Sequence, residues 1–401
     1  MADQVEKKLR TQEDDEVNGT DGEAVWPELP VHIIPDILVK LPVKTLLRFK
    51  CVSKPWRSMI SDPSFADSFL AHSLAHPAAA SLVSISDLSR PEPSPYEFFR
   101  LDHRTGLSTP VPLPNMPSEV TGDISEGVHG FVCLDDGDLT RVCNPSTREV
   151  AVLPPAGPDF PADLCGEIDS FAALGYDPAS KRYKVLKTWI LLDHAVAAHK
   201  VLTLGTNSWR TVDDCPIKFP WDDCISAEGA IHILTHDLME ENMVVTFDVA
   251  SEKFRMLLPP EGARLGEIEL KLFREHLALL ECHGSLWDDG MITMYVLDDY
   301  GSQVWKELRM VLPHSWKEDI GPGRMLSISI PRNDDGDILL IPTIIEEQSE
   351  AYLVSYNVES KRMKKVQIHG PPFHRFYKDR AFILTCRPFD FVDNILSLDH
   401  V

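Results

Sequence analysis

The chain has 401 residues, more than one ordinary domain holds, which points to two or three. Hydrophobic residues make up 43% and charged residues 25%, the mix of a chain that buries a core. With 62 acidic against 39 basic residues the net charge is −23, the wrong sign for a protein that tracks nucleic-acid phosphates. The 31 prolines exceed the usual share of about 5% and favour many short elements. No run approaches the ~18 apolar residues of a membrane span.

Residues 1–25 hold eight acids, three bases and almost nothing bulky and apolar, the composition of a disordered tail. They lack the apolar core of a secretory signal, so the expected location is the cytoplasm, the nucleus or both. The eight cysteines form no CxxC pair and read as reduced, mostly buried thiols.

From Trp26 to His76 the periodicity is helical. Val31, Ile34, Ile37, Leu38 and Leu41 make an amphipathic stripe that Pro42 ends, because the residue before proline avoids the α region. Pro35 delays the start of that helix to about Ile34. Leu46 and Phe49 mark a second short helix. Ser53 is the N-cap expected for a third, with Pro55 harmless in its first turn and Trp56, Met59 and Ile60 on its apolar side. Asp62-Pro63 breaks it, and Phe65, Phe69, Leu70 and Leu74 carry a fourth up to Pro77. Helices this short are unstable alone, and their apolar surface exceeds what ~50 residues hide. They pack either on a large neighbour in the same chain or on a partner protein.

The run from Leu29 to Phe65 resembles an F-box of the plant type. Leu29-Pro30, Ile33-Ile34, Ile37-Leu38, Leu41-Pro42-Val43, Leu46-Leu47-Arg48-Phe49, Cys51-Val52-Ser53-Lys54, Trp56-Arg57 and Asp62-Pro63-x-Phe65 fall where that family places them, without a gap. The resemblance implies docking onto the Skp-type adaptor of an SCF ubiquitin ligase, and through it onto a cullin and a RING protein. The adaptor-binding positions it implies are Leu29, Pro30, Ile33, Ile34, Ile37, Leu38, Leu41, Pro42, Leu46, Phe49, Val52 and Trp56. Leu38, Leu41, Pro42, Leu46 and Phe49 are expected to form an apolar patch that the chain does not fully cover. Residues 26–65 carry six basic against three acidic side chains, net +3, whereas residues 66–401 carry −21. A basic module on an acidic protein steers toward an acidic partner.

Beyond residue 77 short apolar strands alternate with turns of Gly, Pro, Asp and Asn. One turn recurs, anchored at Asp102, Asn144, Asp177, Thr203, Asp248, Asp299 and Asn357, with Ser or Thr three residues later in every copy. An Asp or Asn side chain accepts from the backbone two residues on, and the hydroxyl adds a further bond, so the chain reverses. The anchors step by about 42, 33, 26, 45, 51 and 58 residues, the range of four-stranded propeller blades. A step of 26 is too short for a whole blade, so Asp177 and Thr203 share one. That leaves six blades, or seven if Ala78–Ser86 pairs with the strand at Phe382–Cys386. Gly130-Phe131-Val132-Cys133-Leu134 and the recurring turns resemble the F-box-associated domain of plant F-box proteins, a divergent kelch-like propeller, from about Pro77 to Asp390.

Ligand constellations mostly fail on inspection. Asp135-Asp136-Gly137, Asp288-Asp289-Gly290 and Asp334-Asp335-Gly336 read as hairpin turns rather than calcium loops. His232 and His236 lie four apart but on a strand-like alternation, against a zinc pair. Gly321-Pro322-Gly323 is a turn, and Lys361–Lys365 coincides with a repeat hairpin, which outweighs a localisation signal. Trp221, Asp222 and Asp223 lie in a long inter-strand segment and are the target-binding candidates, at the propeller mouth or packed on their own blade.

The expected class is therefore α+β multidomain: a tail (1–25), an all-α F-box (26–65), a linker helix (66–77), an antiparallel propeller (78–390) and a C-terminal tail (391–401). The expected function is substrate recognition within an SCF-type ligase, with no cofactor, metal, nucleic acid or membrane and with an unknown target protein. The alternatives are a scaffold that acts without proteolysis and, more remotely, a propeller enzyme.

Overall fold

The computed structural model describes residues 33–87, 97–114, 123–125, 127–137, 139–161, 164–194, 196–213, 215–216, 220–236, 242–260, 262–263, 268–281, 290–320, 326–331, 337–342, 352–370 and 384–398. The acidic tail, Leu29, Pro30, Asp288-Asp289, Gly321–Gly323 and Asp334–Gly336 lie outside them.

Among the described residues four helices come first. Pro35 occupies the first turn of α1 (Ile34–Leu38), where a missing N–H costs nothing. That helix ends before Pro42, which instead caps α2 (Val43–Lys50) with an extended ψ of 144°. Ser53 caps α3 (Lys54–Ile60), its hydroxyl accepting from Trp56 N at 3.4 Å. Asp62 caps α4 (Pro63–Ala75) by accepting from Ser64 N at 2.8 Å. Leu38, Val43, Leu46, Ile60, Phe65, Ala66 and Phe69 share one core. Residues 66–75 are thus the fourth member of the bundle rather than a linker, because the short helices need its apolar face to close over them.

Six four-stranded antiparallel sheets follow. The first combines β1 (Ala80–Asp87), β2 (Glu97–Asp102) and β3 (Ser108–Pro110) with the last strand of the chain, β24 (Leu384–Asp390). The second holds β4 (Asp123–Ser125), β5 (Val132–Asp135), β6 (Thr140–Asn144) and β7 (Glu149–Val152). In the third are β8 (Ile168–Asp177), β9 (Arg182–Leu191), β10 (Val196–Thr203) and β11 (Arg210–Thr211). The fourth consists of β12 (Trp221–Ala227), β13 (Ala230–His236), β14 (Asn242–Asp248) and β15 (Lys253–Leu257). The fifth has β16 (Ile268–Phe273), β17 (His276–Glu281), β18 (Met291–Asp299) and β19 (Val304–Val311), followed by a short helix, α5 (Trp316–Ile320). The sixth is β20 (Leu326–Ser329), β21 (Asp337–Pro342), β22 (Tyr352–Asn357) and β23 (Arg362–Gln367).

Each sheet is a blade, and six apolar clusters fill the six junctions between consecutive blades. Successive side chains of a strand point to opposite faces, so neighbours in sequence serve different junctions. Leu82 packs toward blade 2 and Val83 toward blade 6. Cys133 faces blade 3 while Leu134 faces blade 1. Ile233 and Leu234 divide between blades 3 and 5, and Leu279 and Leu280 between blades 4 and 6. Strands buried on both faces read as continuous apolar runs, which is why the segments look uniform rather than alternating.

The pairing of β1 with a C-terminal strand is present, from Ser81 opposite Asp390 to Asp87 opposite Leu384. It completes the first blade instead of adding a seventh, since β1, β2 and β3 would otherwise form a sheet of only three strands. The ring has six blades. Asp177 and Thr203 do share blade 3: Asp177 turns the chain between its first two strands, Thr203 between its last two.

Six of the seven anchors accept from the backbone with their side chains, and five of them also take the hydroxyl. Asp102 accepts from Thr105 N and from its hydroxyl, both at 2.8 Å; Asp248 accepts the same pair from Ser251 at 2.7 Å, and Asn357 from Ser360 at 2.8 and 2.7 Å. Asp177 and Asp299 likewise accept from a backbone N–H and a hydroxyl, whereas Asn144 accepts only from the backbone N–H groups of Ser146 and Thr147. Four residues past each of these anchors the backbone turns left-handed, at Gly106, Arg148, Lys181, Glu252, Gln303 and Lys361. Glycine is required only at the first, where a Cβ would meet Gln367 O of blade 6 at 2.0 Å. Thr203 departs: its backbone carbonyl, not its side chain, accepts from the Thr206 hydroxyl at 2.6 Å.

Polar pins cross between blades. Lys187 on β9 is 1% exposed and reaches Asp135 on β5 at 2.8 Å, with Gly137 O and the Thr140 hydroxyl as further partners. Asp135 also accepts from Ser170 and Thr140, so the pair leaves the Asp-Gly turn with a second, buried role. Removing one partner of such a pair strands the other charge in the core, at about 3–5 kcal/mol. Lys187→Met should lower the unfolding free energy by that amount in urea titration, and adding Asp135→Asn should return part of it.

Buried histidines and the turn carboxylates should make the chain less stable over two ranges of falling pH. Burial pulls His232 down to about 3 and His103 down to about 4 from 6.5. The hydroxyl bonds from Ser180 and Ser302 hold Asp177 and Asp299 below 3.8. In Asp102 and Asp248 burial pushes the carboxyl up, but the bonds from Thr105 and Ser251 together outweigh it. The unfolded chain therefore binds protons that the folded one refuses, first below about pH 6.5 and then below about pH 4, and stability falls with pH. Urea titrations between pH 7 and 3 should show both limbs. Asp248→Asn, which keeps an acceptor without titrating, should flatten only the lower one.

Candidate functional site: the outer face of the helical module

The helices divide the family-implied positions into two groups. Leu38 and Leu46 are 1% and 0% exposed and hold the bundle from inside. The expectation that they form a surface patch is therefore corrected: the i, i+3, i+4 stripe of each short helix is used up by its neighbours. Ile37 and Val52 are the bare ones, at 42% and 51% exposure, and Pro42 is exposed between α1 and α2. Ile33, Ile34, Leu41, Phe49 and Trp56 are half-buried. Phe49 and Trp56 tilt against each other at 5.2 Å between ring centroids, which joins α2 to α3.

The rim of this face is basic. Lys40, Lys44, Arg48, Lys54 and Arg57 are exposed, and Arg57 Nε donates to Lys50 O at 3.2 Å at the end of α2. Arg48 and Lys50 occupy the last turn of α2, where positive charge suits the helix dipole. Residues 33–65 thus expose two bulky apolar side chains and more basic than acidic ones (Asp36 and Asp62 are the exposed acids) on a strongly acidic protein, which suits an acidic protein surface.

The target-binding candidates fare differently. Trp221 is buried in the junction of blades 3 and 4 and stacks on Phe171 at 5.7 Å. Asp223 lies on the same strand, β12, and accepts from Leu270 N and Cys224 N, both at 2.9 Å; its burial raises its pKa. The inter-strand segment is thus the first strand of blade 4, with Trp221 packed between blades and Asp223 half-buried on the same strand. The side chain of Asp222 lies outside the described residues.

The buried histidines belong to the blades. His232 lies on β13, as the alternation predicts, and contacts the Thr246 hydroxyl at 3.1 Å across to β14; the side chain of His236 lies outside the described residues. His199 meets Thr188 and His103 meets Ser81, each at 2.9 Å. Among the described residues no group of three or more His, Cys, Asp or Glu side chains converges as a metal site would, and no helix is long and apolar enough to cross a membrane.

A four-helix module ahead of a six-bladed antiparallel ring defines the class, and comparison with known proteins agrees. Residues 26–67 match the F-box domain, and residues 93–392 match the F-box associated beta propeller domain. The chain belongs to that second family, and is an F-box protein with a C-terminal propeller. Its relatives include an F-box protein of Arabidopsis thaliana, 27% identical over 85% of this chain and 90% of its own length. Another Arabidopsis F-box protein is 29% identical, covering 86% and 85%. An F-box/kelch-repeat protein from the same plant is 26% identical, covering 88% of each.

The sequence reading missed the chain beyond β24. Phe391, Val392, Asn394 and Ile395 are buried, and Ile395 sits in the core of the helical module. Five bulky apolar residues among the eight from Phe391 to Leu398 were the available signal, since a solvated tail has no use for them.

Substituting the exposed positions tests the face without touching the core. Ile37→Glu with Val52→Glu should leave the melting temperature within a few degrees, because neither residue is enclosed. Leu46→Ala should cost about 2–5 kcal/mol, the price of a core cavity. A thermal scan of both variants separates a presenting surface from a structural one.

Proposed function

We propose that this F-box protein is the substrate-recognition subunit of an SCF-type ubiquitin ligase. The outer face of α1–α3 docks onto a Skp-type adaptor, which links through a cullin to a RING protein and a charged ubiquitin-conjugating enzyme. The propeller holds the target. The receptor performs no chemistry: it raises the local concentration of target lysines near activated ubiquitin. The observation that carries this reading is the exposed apolar pair Ile37 and Val52 among exposed basic side chains on α1–α3.

A catalytic role finds little support in the described histidines. Those held near pKa 3 to 4 by burial stay neutral and enclosed, far from the value a general base needs at neutral pH. Burial likewise pushes the Cys143 thiol up to about 12, away from nucleophilic use. The expected site of action is the cytoplasm or nucleus, where such ligases and reduced thiols coexist.

The test is a full-length receptor that cannot reach its adaptor. Ile37→Glu with Val52→Glu should reduce adaptor capture at least tenfold, the loss expected for charges placed in an interface centre. Overproduced in its native cell, the variant should keep its target bound and lengthen that target's half-life, by mass action. The target is identified as the protein that copurifies with both wild type and variant. Equal half-lives under the two would favour a scaffold that acts without proteolysis, and undiminished capture would place the adaptor elsewhere.

A further inference from the structure

The ring closes in a way that returns the chain to its starting point. Ala80 opens β1, and Ser81 pairs with Asp390 at the end of β24. The helices lead into β1 and residues 391–398 follow β24, so both leave the propeller at the same edge of blade 1. From there residues 391–398 run along blade 2 and into the helical module.

Their grip on blade 2 is specific. Asn394 Nδ2 donates to His129 O at 2.9 Å, and its Oδ1 accepts from Leu396 N at 2.8 Å. Asn144 Nδ2 donates to both Asn394 O and Leu396 O, at 3.2 and 3.0 Å. Asn394 N donates to the Ser146 hydroxyl at 3.2 Å, and Leu398 N to Glu149 at 2.9 Å. Gly130 permits the approach, since a Cβ there would stand 2.1 Å from Val392 O. At the other end Ile395, 2% exposed, enters the core formed by Leu38, Leu46, Ile60 and Phe69.

This explains a choice among the turn anchors. Asp102, Asp177, Asp248 and Asp299 only accept hydrogen bonds in their turns. Asn144 accepts with Oδ1 from Ser146 N and Thr147 N while its amide donates to the returning chain. A carboxylate would keep the turn and repel both carbonyls.

We propose that residues 391–398 are a strap that fixes the F-box at one angle to the propeller, with Asn144 and Asn394 as positioning residues and Ile395 as its plug. A single connection at residues 76–79 would leave the module free to swing; a second attachment removes that freedom. The Lys181–Asp67 ion pair at 3.0 Å adds a third contact, but both partners are mostly exposed and it contributes little. If the receptor reading holds, the strap sets the distance between a bound target and the activated ubiquitin.

The experiment uses the purified full-length chain. Asn144→Asp should speed amide exchange at residues 394–398 and, with it, in α2 and α4 by at least tenfold, and should broaden the particle dimensions in small-angle X-ray scattering. Ile395→Ser should do the same from the other end, which decides the matter if Asn144→Asp leaves the strap seated. A strap loosened by either variant, with the helices still protected and the scattering unchanged, would overturn the proposal. Neither measurement involves a ligase, so each stands or falls apart from the receptor reading. In a reconstituted ligase, the set of self-ubiquitinated lysines on wild type should be narrow and should spread in Asn144→Asp. An unchanged set, with scattering broadened, would overturn the positioning role alone.

Discussion

Every blade of this protein is apolar on both faces, and that constraint organises the rest. A four-stranded sheet with two greasy sides is stable only between two others of its kind. Six such sheets satisfy one another when the row bends into a ring and its ends meet. The meeting is made by β24, which supplies the inner strand of the blade that β1, β2 and β3 began. Five sheets are complete without it, but the first lacks its fourth strand until β24 arrives, so the closing pair between Ser81 and Asp390 bears on the junctions at either side of blade 1.

Closure also has a consequence for function. Because the ends of the ring meet, the chain leaves the propeller beside the point where it entered. The helical module and the C-terminal segment are therefore neighbours by topology, before any contact between them forms. Ile395 uses that proximity to plug a bundle whose four short helices are poorly able to hide their own apolar surface. The shortage of core that made the helices look dependent on a neighbour is met partly by eight residues from the far end of the sequence. What remains bare, Ile37 and Val52 among basic side chains, is available to another protein.

Polar residues inside the ring repay burial by pairing. Lys187 and Asp135 lie on different blades and enclose each other's charge. The turn anchors show the same economy on the surface, where one side chain satisfies two donors. Asparagine appears where the anchor must also donate: Asn144 toward the returning chain, and Asn357 toward Asp337 at 2.8 Å. Aspartate suffices at the four anchors whose side chains only accept.

Local chemistry was legible directly from the residues. Ser53 and Asp62 cap helices because their side chains reach backbone donors two or three residues away, and the Asp/Asn-x-x-Ser/Thr turns reverse the chain for the same reason. Those interactions span a few positions, so a linear reading contains both partners. The motif of the helical module and the spacing of the turns were likewise enough to assign fold and family. Other features depend on partners far apart in the chain. Whether the strand at residues 384–390 adds a blade or finishes one is decided by how many sheets the ring can hold. Trp221 reads as a loop residue until β12 is seen to be the inner strand of blade 4, between Phe171 and its own sheet. Leu38 and Leu46 belong to the same stripe as Ile37, and only the packing of α4 and Ile395 determines which of them meets water. Residues 391–398 look like a tail because their partners, His129, Asn144 and the F-box core, lie some 250 or more positions away. The sequence alone determined the turns, the caps and the kind of module; the tertiary structure decided which apolar residues remain exposed, since burial is a property of the closed ring and not of any segment within it.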